Sequence, residues 1–344
     1  MSLLEQLRRK IKDVSDVNLA FKKTRPSFIF SEREAADIDS DTIYNLGHTG
    51  FEELVQLDST LKDFESEFFS PLCKSTDRVQ LTKAENDALD KTLGRFLEHL
   101  APHFLISPTS RVLEWLIRRF RIQDFNAEQI LLAFIPYYGT SQFMRLCKLI
   151  DFKVHNRSIW AFLAPYQHEN INMSPKALAE IFKKNRDLLG LVHKSLMRAE
   201  NAGIRYRTQT NFYLSLLLNL LMATPILNEH QVHMYLPYVF ELGMSSSEDL
   251  VLVGFMLLSQ LMSRTELSSG AFTKVTEVVA HAQCSPEHKI ICLMHVFQMA
   301  TAKQQQQPLS PRVASRLRQL SNLDKLLHQL GEEYSAKPFL HPYV

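Results

Sequence analysis

The stretch Phe96–Ile150, FLEHLAPHFLISPTSRVLEWLIRRFRIQDFNAEQILLAFIPYYGTSQFMRLCKLI, decides the fold. It reads as consecutive short amphipathic helices with proline-marked joints and leaves no room for a strand. Within Arg111–Arg121, Val112, Leu113, Leu116, Ile117 and Phe120 share one face of a 3.6-residue period, and Arg118, Arg119 and Arg121 lie largely off it. A single amphipathic helix must bury its stripe against another, so a run of such helices predicts stacked helix pairs. Stacked pairs present surface to partners rather than enclosing a reaction.

Working outward, an apolar-Pro-aromatic pattern recurs at Ala101-Pro102-His103-Phe104, Ile135-Pro136-Tyr137, Ala164-Pro165-Tyr166 and Leu236-Pro237-Tyr238. The prolines are spaced by 34, 29 and 72 residues, the last being twice 36. A period of about 30–45 residues is that of helix-pair solenoids. The expected fold is therefore all-α, a HEAT-like helical-repeat solenoid.

Composition agrees. Only 10 of 344 residues are Gly, whereas sheets and phosphate-binding loops consume Gly in turns and bulges. Four cysteines, Cys73, Cys147, Cys284 and Cys292, are too sparse for a disulfide framework and fit a reducing compartment. The opening MSLLEQLRRKIKDV is basic and amphipathic but has no apolar core of a secretory signal. No apolar run reaches the roughly 18 residues of a membrane span.

Charge is segregated although the net is only +2. Residues 1–33 carry 8 basic and 4 acidic side chains, and residues 34–67 carry 10 acidic and 1 basic. An acidic stretch beside basic regions suits protein docking with weak polyanion contact.

Helices are expected near 2–12, 32–38, 41–57, 60–74, 82–100, 109–120, 126–135, 139–150, 158–164, 174–198, 208–223, 229–242, 247–263, 268–282, 286–302 and 310–331. Ser-Pro pairs at Ser70, Ser107, Ser174, Ser285 and Ser310 predict N-caps followed by Pro in the first turn. Ser31 with Glu34 predicts a capping box. The organisation expected is a basic segment over 1–30, repeats over 31–150, further repeats over 151–331, and a tail or the start of another repeat over 332–344. Gln304–Gln307 reads as an exposed linker.

The chain has no Gly-rich phosphate loop, nucleophile elbow or HExxH, so no catalytic residue, cofactor or small-molecule substrate is expected. Cys284, His288 and Cys292 stand four apart, but a zinc site needs a fourth ligand and Cys284 precedes the helix. His99 and His103, with Glu98 beside them, are split by Pro102. No metal site is expected from either group. Basic clusters remain as candidate phosphate-backbone contacts: Arg118, Arg119 and Arg121; Lys183, Lys184 and Arg186; Arg312, Arg316 and Arg318. Arg312 and Arg316 share a face at i,i+4, which makes the last cluster the best of the three.

Several of these stretches carry a family likeness. MSLLEQLRR, the acidic block EREAADIDSDTIYNLGHTGFEELVQLDSTLKDFESEFFSPL over Glu32–Leu72, FLEHLAPHFLISPTSRVLEWLIRRFRIQDFN and LLAFIPYYGTSQFMRLCKLI resemble the N-terminal region of a large HEAT-repeat nucleolar protein family. This is the U-three-associated protein ten and HEAT repeat-containing protein one family of the small-subunit processome. The likeness is close over Glu32–Ile150 and looser beyond Asp151. Family members are several-fold longer, so the chain resembles only a portion of one.

The resemblance implies a non-catalytic scaffold in the nucleus and nucleolus. Its implied partners are other subunits of the UTP-A subcomplex, the U-three small nucleolar ribonucleoprotein and the pre-rRNA 5′ external transcribed spacer. Its implied role is support of RNA polymerase I transcription and pre-18S rRNA processing. An adaptor in another pathway, such as nuclear transport or phosphatase scaffolding, is the alternative. A helical enzyme would instead require a deep pocket with convergent polar groups.

Overall fold

A computed structural model describes residues 26–152, 159–167, 173–303, 308–320, 322–333 and 337–343. The helix expected over 2–12 and the Gln304–Gln307 linker lie outside them. Among the described residues every regular element is helical and none is a strand.

The α-helices in chain order are α1 (Glu32–Asp37), α2 (Ser40–Leu57), α3 (Glu65–Phe68), α4 (Lys83–Leu100), α5 (Ser107–Phe120), α6 (Ile122–Phe125), α7 (Ala127–Phe134) and α8 (Ser141–Leu149). They continue as α9 (Pro175–Lys184), α10 (Arg186–Asn201), α11 (Arg207–Met222), α12 (Glu229–Gly243), α13 (Glu248–Arg264) and α14 (Ser269–His281). The last are α15 (Pro286–Ala302), α16 (Pro311–Arg318), α17 (Leu323–Glu333) and α18 (Lys337–Tyr343). No helix among the described residues is long and apolar enough to cross a membrane.

The chain divides into two compact units. One takes residues up to Ser174 together with Gly190–Thr208, and the other takes Pro175–Leu189 together with residues from Gln209 on. In the first unit α2 lies against α5 and α4 against α7. Its core is aromatic: Phe51 stacks on Phe69 at 4.1 Å between centroids, Phe68 meets Phe96 at 5.2 Å, and Trp115 meets Tyr44 edge-on at 5.2 Å. In the second unit α12, α14 and α16 form one row and α13 and α15 a second row behind it. Leu250, Val251, Leu257 and Leu261 of α13 and Ile290, Leu293, Val296 and Phe297 of α15 are buried, the two-layer packing of a HEAT-like repeat. The tail begins with α18, where Phe339 is buried and packs edge-on against Phe297 at 5.7 Å.

The proline turns explain part of the periodicity. Pro102 and Pro136 sit in 3-10 turns, Ala101–His103 and Ile135–Tyr137, that end α4 and α7. These two turns, 34 residues apart, bind each other: Tyr137 Oη donates to the Ala101 carbonyl at 2.8 Å, and Phe104 stacks on Phe134 at 4.0 Å. Pro165 lies in a third 3-10 turn, Ala161–Gln167. Pro237 differs, because it stands inside α12, where the cost of its missing N–H is accepted within a continuing helix. Counting 72 residues as two repeats therefore joins unlike features.

Three expected helices are broken. The 60–74 segment becomes the 3-10 turn Ser59–Phe64, then α3, then the 3-10 turn Pro71–Ser75. Leu61, Phe64, Phe68, Phe69 and Cys73 all reach the core this way, which no single 3.6-residue stripe allows. The 174–198 segment breaks at Asn185, whose Oδ1 accepts from Leu188 N at 3.4 Å and starts α10. The 310–331 segment breaks at Asn322, in the left-handed region at φ 61°.

Caps follow the sequence unevenly. Ser285 and Ser310 accept from His288 N and Val313 N, and the Ser31–Glu34 capping box is formed. Ser107 instead is already the first residue of α5, and Ser70 makes no cap but lies 3.2 Å from Cys73 Sγ. A second capping box, Thr82 with Glu85, starts α4. Hydrogen bonds from the Thr82 hydroxyl and backbone hold the Glu85 carboxyl below its ordinary value of 4.5, and those of the Ser31 backbone and hydroxyl do the same for Glu34. A depressed folded value means that stabilisation is complete above pH 4.5 and is lost as pH falls through the folded value. Protection factors of the Ser31 and Thr82 amides, exchange rates taken relative to the intrinsic rate at each pH, should thus fall on going from pH 6 to pH 3 by more than those of mid-helix amides.

Candidate interaction surfaces

The three basic clusters have different surroundings. At the end of α5, Arg118 is committed inside the first unit. Its Nε donates to Glu114 Oε1 at 2.8 Å and its Nη1 to the Ala35 carbonyl at 2.9 Å. Glu114 is itself fully buried although it stands one turn before Arg118, off the apolar stripe of α5. Its Oε2 accepts from Phe28 N at 2.7 Å, Ile29 N at 3.1 Å and Ser27 Oγ at 3.0 Å, so it ties residues 27–29 to α5. A buried carboxylate needs such a set of donors to be tolerated.

Arg121 is held in the left-handed region at φ 50°, where it closes α5. Its Nε donates to Asp124 Oδ2 at 2.9 Å, and its guanidinium lies 5.4 Å from the Phe125 ring centre. Arg119 is half-buried, and desolvation pulls its guanidinium below the ordinary value, opposed by Asp77. Arg118 and Arg121 are thus ion-paired within the unit, and Arg118, Arg119 and Arg121 are all half-buried rather than open.

Lys183, Lys184 and Arg186 are exposed around the α9–α10 break. Arg312, Arg316 and Arg318 are exposed on α16, whose opposite stripe, Val313 and Leu317, is buried. Arg316 Nη1 donates to Gln319 Oε1 at 3.0 Å. Arg312 borders a groove of about 870 Å³ between α12 and α14, floored by Leu236, Pro237, Phe240 and Val278. Lys274 lies over the Phe240 ring at 5.2 Å.

The other groups singled out from sequence are dispersed. His288 Nδ1 lies 2.8 Å from Ser285 Oγ and 3.1 Å from Glu248 Oε1, engaged at the α15 N-terminus. Cys292 is half-buried, and desolvation pushes its thiol well up; the Cys147 thiol, which is buried, is pushed up to about 12 by the same cause. Glu98 is raised by burial and pairs with Arg198 at 3.1 Å. His99 faces Thr60 at 3.4 Å, whereas His103 faces Asp58 at 3.5 Å. Among the described residues no three His, Cys, Asp or Glu side chains converge as metal ligands would.

Sequence reasoning missed Glu114, Arg78 and Gln123. Glu114 had one readable sign, its i,i+4 spacing to Arg118. Gln123 is 3% exposed on the four-residue α6, which has no periodicity to read.

Rows of paired helices with exposed charged faces define an all-α, HEAT-like helical-repeat protein. Residues 231–344 match the family described as U3 small nucleolar RNA-associated protein 10. Human HEAT repeat-containing protein 1 is 30% identical over 353 aligned residues, covering 99% of this chain and 16% of that protein. U3 small nucleolar RNA-associated protein 10 of Yarrowia lipolytica is 27% identical, covering 100% of this chain and 21% of that protein. The HEAT repeat-containing protein 1 homolog of Dictyostelium discoideum is 30% identical over 77% of this chain. The chain belongs to this U3 small nucleolar RNA-associated protein 10 and HEAT repeat-containing protein 1 family, and spans about a fifth or less of the length of these relatives.

Proposed function

We propose that this chain is a non-catalytic scaffold in ribosome biogenesis, acting with the U3 small nucleolar ribonucleoprotein in the nucleolus. The observation that carries this reading is its alignment, over nearly its whole length, with relatives named for U3 small nucleolar RNA association. The fold is compatible with it, because helical repeats offer long faces for partners. In its finer form the proposal places the chain among the UTP-A subunits of the small-subunit processome, near the 5′ external transcribed spacer. There it supports RNA polymerase I transcription and pre-18S rRNA processing.

The test is purification of the tagged chain from cells alongside imaging. Processome subunits, spacer RNA and nucleolar signal are the expected result. A nuclear-rim or cytoplasmic signal without those subunits would replace this reading with an adaptor in another pathway.

RNA contact is assigned to the exposed clusters, first to Arg312, Arg316 and Arg318 and second to Lys183, Lys184 and Arg186. Each phosphate contact to a single strand adds about 0.7 to the slope of log affinity against log salt. Replacing Arg312, Arg316 and Arg318 together with Glu should weaken binding of a spacer RNA and flatten that slope by about 2. An unchanged slope in a filter-binding titration would place the RNA on partner proteins instead.

A further inference from the structure

Five Ser-Pro pairs stand in the chain, at Ser70, Ser107, Ser174, Ser285 and Ser310, and their surroundings differ. Ser70 follows the buried Phe68 and Phe69, Ser107 precedes the buried Thr109, and Ser174 follows the buried Met173. At Ser285 and Ser310 no residue within two positions on either side is buried. Ser285 is nevertheless occupied. Its Oγ lies 2.8 Å from His288 Nδ1, and its backbone N–H donates to Glu248 Oε1 at 3.0 Å, so a carboxylate stands where added negative charge would go. Ser310 has the opposite setting. Residues 308–320 contain three arginines and no Asp or Glu, and Pro308, Pro311 and Arg312 are exposed around it. Its backbone is extended, at φ −66° and ψ 144°, the region that a following proline favours.

We infer that Ser310 is a phosphorylation site for a proline-directed serine/threonine kinase, and that modification there weakens the hold of α16 on RNA. Such kinases take Ser-Pro as an extended dipeptide, the conformation Ser310 already has. In the transfer, Ser310 Oγ attacks the γ-phosphorus of ATP, the bond to the ADP oxygen breaks, and the hydroxyl proton passes to the catalytic-loop Asp of the kinase. The product carries a charge of about −1.5 to −2 at neutral pH, which offsets about two of the three arginine charges on α16. The helix itself is kept, because a phosphate oxygen accepts from Val313 N as the Ser310 hydroxyl does at 3.3 Å. The modification therefore changes charge while the fold is retained. Its effect on RNA rests on the assignment of RNA contact to α16, whereas the site itself does not.

The test treats the full 344-residue chain with ATP and, separately, a cyclin-dependent and a mitogen-activated protein kinase, and maps the phosphate by mass spectrometry. Short peptides spanning each of the five serines give the rates free of the fold. One kinase or both should modify Ser310 in the folded chain nearly as fast as in its peptide, while Ser70, Ser107, Ser174 and Ser285 fall at least tenfold below theirs. The phosphorylated chain should bind a spacer RNA more weakly, with a salt slope flatter by about 1.4, and phosphatase should restore both. A Ser310→Ala chain carried through the same treatment should keep its slope. Faster modification at another of the five serines, no phosphate on Ser310 from either kinase, or an unchanged slope after modification would overturn the inference. A chain that binds no RNA before treatment would defeat the RNA assignment and with it the switch, while the phosphate map still decides the site.

Discussion

Gly47→Ala is expected to destabilise the first unit by about 1–3 kcal/mol, whereas Gly94→Ala in a comparable helix interior stabilises it by about 0.5–1 kcal/mol. Both glycines lie inside long helices, α2 and α4, so the gain in helix propensity is the same for each. What differs is the space. A Cβ at position 47 would sit 2.4 Å from Trp115 Cβ and 2.9 Å from Trp115 Cγ, far inside contact distance. At position 94 the nearest atom is Gln129 Cγ at 3.8 Å, an ordinary contact.

Trp115 cannot retreat. It is 1% exposed, its Nε1 donates to the Phe68 carbonyl at 2.9 Å, and Tyr44 holds its ring edge. Tyr44 is pinned in turn by its hydroxyl, which donates to the Phe69 carbonyl at 2.6 Å. The backbone near Gly50 is equally close to α5, since a Cβ there would stand 2.7 Å from the Pro108 carbonyl oxygen. Urea unfolding of the two variants, followed by Trp fluorescence, should give midpoints shifted in opposite directions. Equal stabilisation by both would mean that α2 and α5 are not in close approach.

These two glycines show what sequence can and cannot disclose. Helical period, proline and caps are local, and they located α2, α4, α5 and the regular helices from α11 to α15 closely. Helix breaks are only partly local. Asn185 and Asn322 are residues that readily start or turn a chain, but nothing local distinguishes them from exposed helical asparagines. The 59–75 segment is irregular because five apolar side chains must reach one core from a short stretch, a demand set by α2, α4 and α5. Pro237 matched the repeat pattern in letters but not in structure, since a three-residue pattern carries no information on whether the helix continues.

The charged residues were harder still. The pairing of Arg118 and Arg121 was not legible, because their partners are the buried Glu114, the Ala35 carbonyl and the closing turn at Asp124. Arg312, Arg316 and Arg318 kept the exposure that their periodicity implied, because α16 buries only Val313 and Leu317. Local pattern places a charge on a helix face. Whether another segment then crosses that face, as residues 27–29 cross α5, is settled by tertiary packing.

Arg78→Ala is expected to be the most damaging single truncation of a charged residue, at about 3–5 kcal/mol. Arg78 is 1% exposed and lies outside every helix, in a loop with no periodic signal. Its guanidinium uses its donors on four different groups. Nε donates to Asn86 Oδ1 at 3.0 Å, Nη1 to Asn126 Oδ1 at 2.7 Å and to the Phe120 carbonyl at 3.3 Å, and Nη2 to Asp90 Oδ1. The Phe125 ring covers its face, with its centre 4.3 Å away. Truncation leaves the Asp90 carboxylate without its counter-charge and the buried Asn126 Oδ1 without its donor, and the latter penalty is that of an unsatisfied buried acceptor.

Lysine should not rescue it. A single ammonium on a flexible stem cannot span Asn86, Asn126 and Asp90 as a planar fork does, so Arg78→Lys should still lose roughly half of the effect. Pairing Arg78→Met with Asp90→Leu should recover part of the loss seen with Arg78→Ala alone, because the double replacement removes the isolated charge. Denaturant midpoints for the three variants separate the possibilities. If Arg78→Lys matched the parent chain, the guanidinium fork would be incidental and simple charge would hold this corner of the first unit together.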